Sequence, residues 1–424
     1  MNEDLLYYIW KSKRLYSINL HSTSGKSIKI IHPGNRNHNQ GPDFLFAKLE
    51  IDGVVWAGQV EMHVKTSDWF KHNHQEDPNY NNVILHVVWL NDLAIEQHDE
   101  KFPVLTLSSF ISEDEYINYM RLMQEHQEIP CLNLIHNVDT MYIESQIDSA
   151  SIERFQIKAE KFNDELIIHQ FDWDALFYKW FCHYLVSPVN VDAMDRLTRM
   201  VDYKIILKIA DHISDLESIL FSVSGLLPTK SSDEYINGLI ENGTYLLNKY
   251  QIQHLSKSEW YFLRMRPAHF PTLRIAQIAA LFNHETRPLQ KILETEELKE
   301  VEKLFEISTS EYWTKHYHFT DLEHTYQKKR IGKSTISVIL INVICPLLFK
   351  YADYHQKPEL KEKSLLWLEQ IEAENNRFTR LWTQTGFHQV NARQSQGILH
   401  QLKEYCTKKK CLECKVGHKL IGSN

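Results

Sequence analysis

The chain has 424 residues, of which 43 % are hydrophobic, so it is long enough to bury a large core and to form two or three domains. Its formal net charge is −8, from 47 basic and 55 acidic residues, which excludes a surface that is basic throughout for nucleic-acid binding. Any contact with phosphates is therefore expected from local basic patches or from bound metal ions.

The first residues and the longest apolar run both bear on location. Glu3 and Asp4 are acidic where a secretory signal is basic, and no continuous apolar segment follows them. The apolar run at 336–349 is too short to span a bilayer and contains Asn342 and Pro346, so it predicts a buried helix. We expect a cytoplasmic protein with reduced cysteines and no membrane partner.

The residue patterning divides the chain into two parts. A helix over residues 3–14, a strand over 27–31, a hairpin after Asp43, a buried strand over 83–90 and an edge strand over 104–107 predict an α/β domain over residues 1–110. From residue 112 the periodicity is helical, for example over 172–187, 332–354 and 376–404. The predicted fold class is α+β, with a small N-terminal mixed α/β domain and a large all-α domain over residues 111–424.

The hairpin contains the clearest local signal in the chain. Asp52-Gly53 separates two β-prone runs and is compatible with a two-residue turn or with a three-residue loop that ends in a glycine bulge. The two-residue turn places Asp43 opposite Met62, whereas the three-residue loop places Asp43 opposite Glu61. In the second register Asp43 shares a face with Glu61, and two facing carboxylates need a cation between them.

Asp43 after Pro42, followed by Glu61-x-His63-x-Lys65, resembles the signature of the PD-(D/E)XK phosphodiesterase superfamily, which has a restriction-endonuclease-like fold. The resemblance implies a nuclease in which Asp43 and Glu61 hold Mg²⁺ or Mn²⁺ against a scissile phosphate. His63 stands where that family has lysine. Either His63 or Lys65 would then act on the attacking water, or the chain is a catalytically silent relative.

A second set of candidate ligands surrounds this motif. His63, His72, His74, Asp77 and His86 are close in sequence, and imidazoles with carboxylates suit Zn²⁺, Mn²⁺ or Fe²⁺. Their spacing matches no known zinc-hydrolase signature. The other interpretation is that His86 bonds to a loop while His72 and His74 face solvent.

The cysteine-rich tail at 406–418 contains the donors Cys406, Cys411, Cys414 and His418. Three thiolates and an imidazole at this spacing can form a tetrahedral Zn²⁺ site. An iron-sulfur cluster with Cys131 or another distant cysteine as the fourth ligand is the alternative, and free thiols are the third interpretation.

Basic residues are clustered at a few places, where they can contact a phosphate backbone or simply face solvent: Arg264, Arg266, Arg274, Lys408, Lys409 and Lys410. Gly332-Lys333-Ser334 is similar to the end of a phosphate-binding loop. Gln327 stands where that motif requires glycine, so we do not predict a nucleotide site of that type.

Several longer stretches, among them GPDF, GQVEMHVKTSDW, RMRPAHFPTLRIAQIA and NARQSQGILHQLKEYC, resemble an uncharacterised bacterial family of Bacteroidetes type, domain of unknown function 2851. The likeness covers nearly the full length and implies no activity. Two functions are therefore expected from the residues: a metal-dependent nuclease, or a silent nuclease-like module that binds nucleic acid or protein around a structural metal.

Overall fold

The computed structural model describes residues 3–11, 15, 18–93, 102–320 and 323–422. The chain divides into two compact units. We call Met1–Gln146 with Gln384–Phe387 and Gln401–Asn424 the sheet unit, and Ile147–Thr383 with His388–His400 the helical unit. This division differs from the predicted one at residue 110, since residues 111–146 and the cysteine tail group with the sheet.

The sheet unit is built on a seven-stranded mixed sheet in the order β1-β2-β4-β5-β6-β7, with β3 paired to β4. The pairs β2–β4 and β4–β5 are antiparallel, whereas β5–β6 and β6–β7 are parallel. The strands are β1 (Leu20–His21), β2 (Ser27–His32), β3 (Asn35–Arg36), β4 (Phe44–Ile51), β5 (Val54–Lys65), β6 (Val83–Leu90) and β7 (Val104–Thr106).

Helices border this sheet, and the first buries the apolar residues that predicted it, including Ile9 and Trp10. Residues 12–14 of that predicted helix lie outside the described residues. The third helix begins at a capping box between Ser112 and Glu115, the local signal that fixes its N-terminus. The helices among the described residues of this unit include α1 (Asp4–Trp10), α2 (Asp68–Lys71) and α3 (Glu113–Gln124).

The hairpin between β4 and β5 combines features of the two predicted registers. Asp52 and Gly53 both have positive φ angles, 49° and 79°, and form a two-residue turn that pairs Ile51 with Val54. Between Ala47 and Phe44 the register shifts by one residue, because β4 contains an extra residue at a bulge where Phe46 has φ 60°.

The bulge moves the upstream end of β4 into the register that pairs Phe44 with Val60. The next position along, Asp43, therefore lies opposite Glu61. Of the two turns that the sequence left open, the two-residue turn is present, and the pairing of Asp43 with Glu61 that the three-residue loop would have produced arises from the bulge instead.

The helical unit encloses a continuous apolar core in which Phe181, Phe282, Trp313 and Trp367 are fully buried or nearly so. Its helices follow α3 in chain order, and the numbering continues into the cysteine tail. They are α4 (Thr140–Glu160, which begins in the sheet unit), α5 (Phe162–Ile168), α6 (Trp173–Leu185), α7 (Val191–Met200), α8 (Tyr203–Ile209), α9 (Ile213–Ser224), α10 (Glu234–Tyr250), α11 (Pro271–His284), α12 (Pro288–Glu294), α13 (Leu298–Leu304), α14 (Tyr312–Lys315), α15 (Lys333–His355), α16 (Pro358–Gln370), α17 (Arg377–Thr383), α18 (Ala392–His400) and, in the sheet unit, α19 (Lys415–Ile421).

Helix α15 contains the apolar run noted in the sequence and extends it to 23 residues, with a π-helical segment at Leu340–Ile344. Its mean hydropathy is 1.8, so by length and composition alone it is able to cross a membrane. Buried residues make up 67 % of its most apolar window, as in the core helix of a globular unit. The predicted continuous helix over 376–404 was wrong, because residues 384–391 are non-helical between α17 and α18.

The bulge at Phe46 generates a test of stability. Its side chain is 77 % exposed, so it contributes little packing, while its left-handed backbone costs a residue with a Cβ about 1 kcal/mol. We expect Phe46→Gly to raise the free energy of unfolding by about 1 kcal/mol in urea titrations. Phe46→Val should lower it, since a β-branched residue tolerates positive φ least. A Phe46→Gly protein less stable than the Phe46→Val protein would contradict the assigned bulge.

Candidate functional site

Two hydrogen bonds join Asp43 to the neighbouring residues Glu61 and Met62 of β5. The backbone N–H of Asp43 donates to Glu61 Oε2 at 3.1 Å, and the backbone N–H of Met62 donates to Asp43 Oδ2 at 3.0 Å. Both carboxylates thus lie at the same point of the β4–β5 ladder, as the bulged register requires. Glu61 is 5 % exposed.

A cation already accompanies Asp43. Arg36, on β3, donates to Asp43 Oδ1 at 2.5 Å and lies over the ring of Tyr7 at 3.5 Å from its centroid. The Tyr7 hydroxyl donates to the same oxygen at 3.1 Å. Both oxygens of Asp43 therefore accept hydrogen bonds from protein groups, and the guanidinium of Arg36 balances its charge. Neither Arg36 nor Tyr7 was singled out from the sequence.

Glu61 is in a different electrostatic situation. Burial, and then the negative charge of Asp43, raise the pKa of the Glu61 carboxyl well above its ordinary range, although the N–H of Asp43 opposes the shift. Arg36 lowers it only slightly. The protein groups around Glu61 therefore do not balance the negative charge of its ionised form.

The connection from β5 to β6 brings imidazoles to this carboxyl. Parallel strands require a crossover, and this one contains α2, the segment His72-Asn73-His74 and a 3₁₀ turn at Pro78–Tyr80. Asn73 has φ 59°, a left-handed conformation that asparagine tolerates, and it reverses the chain between the two histidines. The ring of His74 stacks on Tyr80 at 3.8 Å.

Side chains from β5 and from this crossover bring their nitrogen and oxygen atoms close together. His63 Nε2 lies 3.5 Å from Glu61 Oε1 and 3.1 Å from His72 Nδ1. His74 Nε2 lies 3.4 Å from the same Glu61 oxygen. Among the described residues, His63, His72 and His74 form the group of three ligand-type side chains whose donor atoms all lie within 4.8 Å of one another.

These separations match those between ligands of one ion. Two nitrogen or oxygen ligands about 2.1 Å from a tetrahedral ion are roughly 3.4 Å apart. His74 Nε2 is buried and has no hydrogen-bond partner in the structure, as expected of a lone pair reserved for an ion. Burial and the neighbouring His72 lower the pKa of His74, which favours the neutral imidazole that ligates metals.

His86 supports the cluster from β6, where it pairs in register with Glu61. It is fully buried, and its Nε2 lies 2.9 Å from His63 Nδ1. When His63 Nδ1–H donates to His86, the Nε2 lone pair of His63 points toward Glu61 and His72. His86 therefore orients a ligand rather than serving as one.

Two residues of the predicted site lie elsewhere. Asp77 caps the 3₁₀ turn, since its Oδ1 accepts from the N–H of Asn79 at 2.9 Å, and so it does not join the imidazoles. Lys65 is exposed at the end of β5, and its backbone N–H donates to Asp68. Within the described part of the chain, no ion pair connects Lys65 to Asp43 or Glu61, so the lysine position of the nuclease signature is not filled at this site.

The cysteine tail forms a second cluster in the sheet unit. Cys131 lines one small cavity, of about 20 Å³, together with the three tail cysteines Cys406, Cys411 and Cys414. Gln401 Nε2 donates to the sulfur of Cys414 at 3.4 Å and to that of Cys406 at 3.6 Å. His418 was predicted as the fourth ligand, but its ring donates to the carbonyl of Leu412 and packs on Tyr8.

The thiols in this group resist ionisation. Burial, and then the neighbouring thiol groups, raise the pKa of Cys131 and of Cys411 to about 12 each. A cation among the four sulfurs would reverse this effect and favour the thiolates. No disulfide joins any of the described cysteines.

The predicted basic patches divide into two kinds. In the tail, Lys408 and Lys410 form ion pairs with Glu404 and Glu413, and Lys409 donates to the carbonyl of Met123. In the helical unit, Arg264 and Arg266 are exposed, whereas Arg274 is only 3 % exposed. The three arginines line the same cleft.

Comparison with known proteins gives one match. Residues 3–377 match a family described as "Protein of unknown function (DUF2851)". No curated protein and no solved structure matches the chain.

Proposed function

The chain belongs to the DUF2851 family, whose description states no function, and we propose that its sheet unit is a metal-dependent phosphodiesterase of the nuclease type. One observation carries the proposal. Nitrogen atoms of His63, His72 and His74 all lie within 4.8 Å of one another, and Glu61 Oε1 lies 3.5 Å from His63 Nε2 and 3.4 Å from His74 Nε2. We call these four residues the imidazole-carboxylate cluster.

The donor set favours a particular class of ion. Three imidazoles and one carboxylate suit Zn²⁺, Mn²⁺ or Fe²⁺ better than Mg²⁺, which prefers oxygen ligands and retains water. Of the two ions expected from the sequence, Mn²⁺ therefore suits this donor set and Mg²⁺ does not. His72 is exposed and gives the cluster a side that faces solvent.

The chemistry proposed for this site is hydrolysis of a phosphodiester. An ion bound there would supply Lewis acidity and would lower the pKa of a bound water. Glu61, His63, His72 and His74 would hold it, and His86 orients the ring of His63. Asp43, held by Arg36 and Tyr7, fixes Glu61 through its backbone N–H, and the Arg36 guanidinium supplies positive charge beside the site for an anionic substrate.

A second candidate function is a nuclease-like module in which the ion is structural. The observation that favours it is the number of protein ligands, because four can complete a tetrahedral ion and leave no position for water. Lys65 is exposed and does not lie beside the carboxylates as the lysine of a nuclease would, which also favours a structural ion. The expected partner is a nucleic acid for the phosphodiesterase, and a nucleic acid or a protein for the module with a structural ion.

Metal binding is the first test. We expect His74→Ala to lower the affinity for Zn²⁺ or Mn²⁺ by more than a hundredfold, because it removes a buried ligand nitrogen that has no hydrogen-bond partner within the protein. His86→Ala should lower it about 10- to 100-fold, as is typical of a residue that orients a ligand. Lys71→Ala, on the same crossover with its side chain exposed, is the matched control and should bind as the wild type does. Equal metal content in all four proteins would refute the site.

Catalysis is tested separately with labelled single- and double-stranded DNA and RNA in the presence of Mn²⁺ or Zn²⁺. We expect cleavage by the wild type and by Lys71→Ala, and a loss of at least 10³-fold in rate in Glu61→Gln and His74→Ala. Asp43→Asn should retain the ion but lose part of the rate, since it weakens the contact with Arg36. Metal binding without cleavage of any substrate would favour the structural candidate instead.

We also propose that Cys131, Cys406, Cys411 and Cys414 hold a second metal centre, either Zn²⁺ or an iron-sulfur cluster. The support is the convergence of four cysteines, three of them buried, from two distant parts of the sequence around one cavity, with Gln401 donating to two of the sulfurs. Such a centre would connect the tail to the segment that contains Cys131.

The cysteine centre is tested by substituting the two candidate fourth ligands. We expect Cys131→Ser to lose about one equivalent of zinc, or the visible absorption of an iron-sulfur cluster, and to lower the thermal midpoint of the sheet unit. His418→Ala should retain the metal, because its ring is bonded to a carbonyl. Elemental analysis and an absorption spectrum of protein purified without air distinguish zinc from iron. Loss of metal in His418→Ala but not in Cys131→Ser would reverse the assignment.

A further inference from the structure

A cleft of about 900 Å³ lies in the helical unit, and its residues contribute nothing to the metal sites. We call it the Arg274 cleft. Its walls come from the end of α6, the start of α7, the loop before α11 and the first turns of α15. The lining includes Tyr184, Val191, Met265, Arg266, Arg274 and Thr335.

Arg274 is a buried cation without a carboxylate partner. Its residue is 3 % exposed, and no carboxylate among the described residues forms an ion pair with it. Its guanidinium donates to Gln277 Oε1, to His269 Nδ1 and to Thr335 Oγ1, at 2.8, 2.9 and 3.3 Å. All three acceptors are neutral groups or an imidazole, so they orient the charge but do not balance it.

One donor of the same guanidinium has no partner. Nε of Arg274 is buried and makes no hydrogen bond in the structure. Burial alone lowers the pKa of Arg274, to about 10, which expresses the cost of a charge with no counter-ion nearby. A buried donor on a buried charge is expensive to leave unpaired, so an anion from outside the chain is the simplest partner.

Other positive groups surround the same point. Arg264 and Arg266 line the cleft and are exposed. Burial, and then the positive charges of Arg274 and Arg266, lower the pKa of His269, so these groups are close to one another. Acidic residues are fewer: Asp192 is exposed on the lining, and Asp195 is bonded to His183.

The beginning of α15 adds backbone donors. This helix is 23 residues long, it begins at Lys333, and Ser334 and Thr335 in its first turn line the cleft. In this turn the N–H groups of Thr335 and Ile336 donate to the carbonyl of Gly332, which leaves the N–H of Ser334 as the cleft-lining backbone donor. The N-terminus of a helix carries partial positive charge, which favours an anion. The Ser334 N–H and the unpaired Nε of Arg274 are thus fixed donors from two different elements.

The size and the remaining walls indicate what bears the anion. A cleft of this volume accommodates a molecule of nucleotide size. Its apolar lining, from Tyr184, Val186, Val191, Met265 and Val338, is suited to an organic group. We propose that the Arg274 cleft binds a phosphorylated small molecule, with its phosphate at Arg274, Arg266 and the first turn of α15, and its organic part against the apolar wall.

The test measures binding of three probes by titration calorimetry: inorganic phosphate, adenosine 5′-monophosphate and adenosine. The His74→Ala protein is used throughout, so that phosphate cannot bind to an ion in the imidazole-carboxylate cluster. We expect phosphate and the monophosphate to bind with one site per chain, the monophosphate more tightly, and adenosine to bind at least tenfold more weakly than the monophosphate. Adenosine binding as tightly as its monophosphate would overturn the assignment of a phosphate site.

Variants locate the site. Arg274→Gln should weaken binding of the monophosphate at least tenfold, and Arg266→Gln, which is exposed and should not disturb folding, should weaken it several-fold. Arg199→Gln removes an exposed arginine outside the cleft and should bind as its parent does. Far-UV circular dichroism shows whether the Arg274→Gln protein is folded. If it is not, binding by the Arg266→Gln protein tests whether the phosphate lies in the cleft. Absence of binding by both phosphate probes, or binding unchanged in Arg266→Gln and in folded Arg274→Gln, would overturn the proposal without bearing on the nuclease.

Discussion

The register of one antiparallel pair determines what the sheet unit can do. Side chains on a strand alternate between faces, so a shift of one residue would move Asp43 away from Glu61. The extra residue at the Phe46 bulge produces the shift that brings them together, although the Asp52-Gly53 turn by itself would place Asp43 opposite Met62. The parallel neighbour β6 then sets His86 beside Glu61, and the crossover that a parallel pair requires delivers His72 and His74 to the same point.

Each unit of the chain buries a charged group that its own residues leave poorly compensated. In the sheet unit it is the carboxylate of Glu61, which is next to a second carboxylate and three imidazoles. In the helical unit it is the guanidinium of Arg274, which has neutral acceptors and an unpaired Nε. Such groups are costly to bury, and proteins retain them where a partner of opposite charge arrives from solution. We therefore expect a cation beside Glu61 in the sheet unit and an anion beside Arg274 in the helical unit.

Local signals in the sequence predicted local structure well. The strand at Val83–Leu90, the Asp52-Gly53 turn and the long apolar helix α15 follow from β-branched runs, turn chemistry and periodicity within single segments. The bulge at Phe46 leaves no such signal, because phenylalanine is an ordinary strand residue and its positive φ depends on the pairing around it. Cys131 was among the candidate fourth ligands of an iron-sulfur cluster, but nothing in its own surroundings singles it out as the partner of cysteines 275 residues or more further along the chain. Proximity in sequence favoured His418 instead, and the structure places its ring elsewhere.

In the proposed phosphodiesterase, histidine stands at position 63, where the nuclease signature has lysine. A lysine there would act beside an ion held by oxygen atoms, whereas His63 offers a nitrogen atom that can itself bind an ion. With His72 and His74 next to it, the proposed site is dominated by imidazoles rather than by oxygen atoms. Asp43 is not needed as a ligand in this proposal, since its two oxygens accept from Arg36, Tyr7 and the Met62 N–H. The histidine at this position therefore favours a different metal over the loss of the proposed site, and the proposal assigns no role to Lys65.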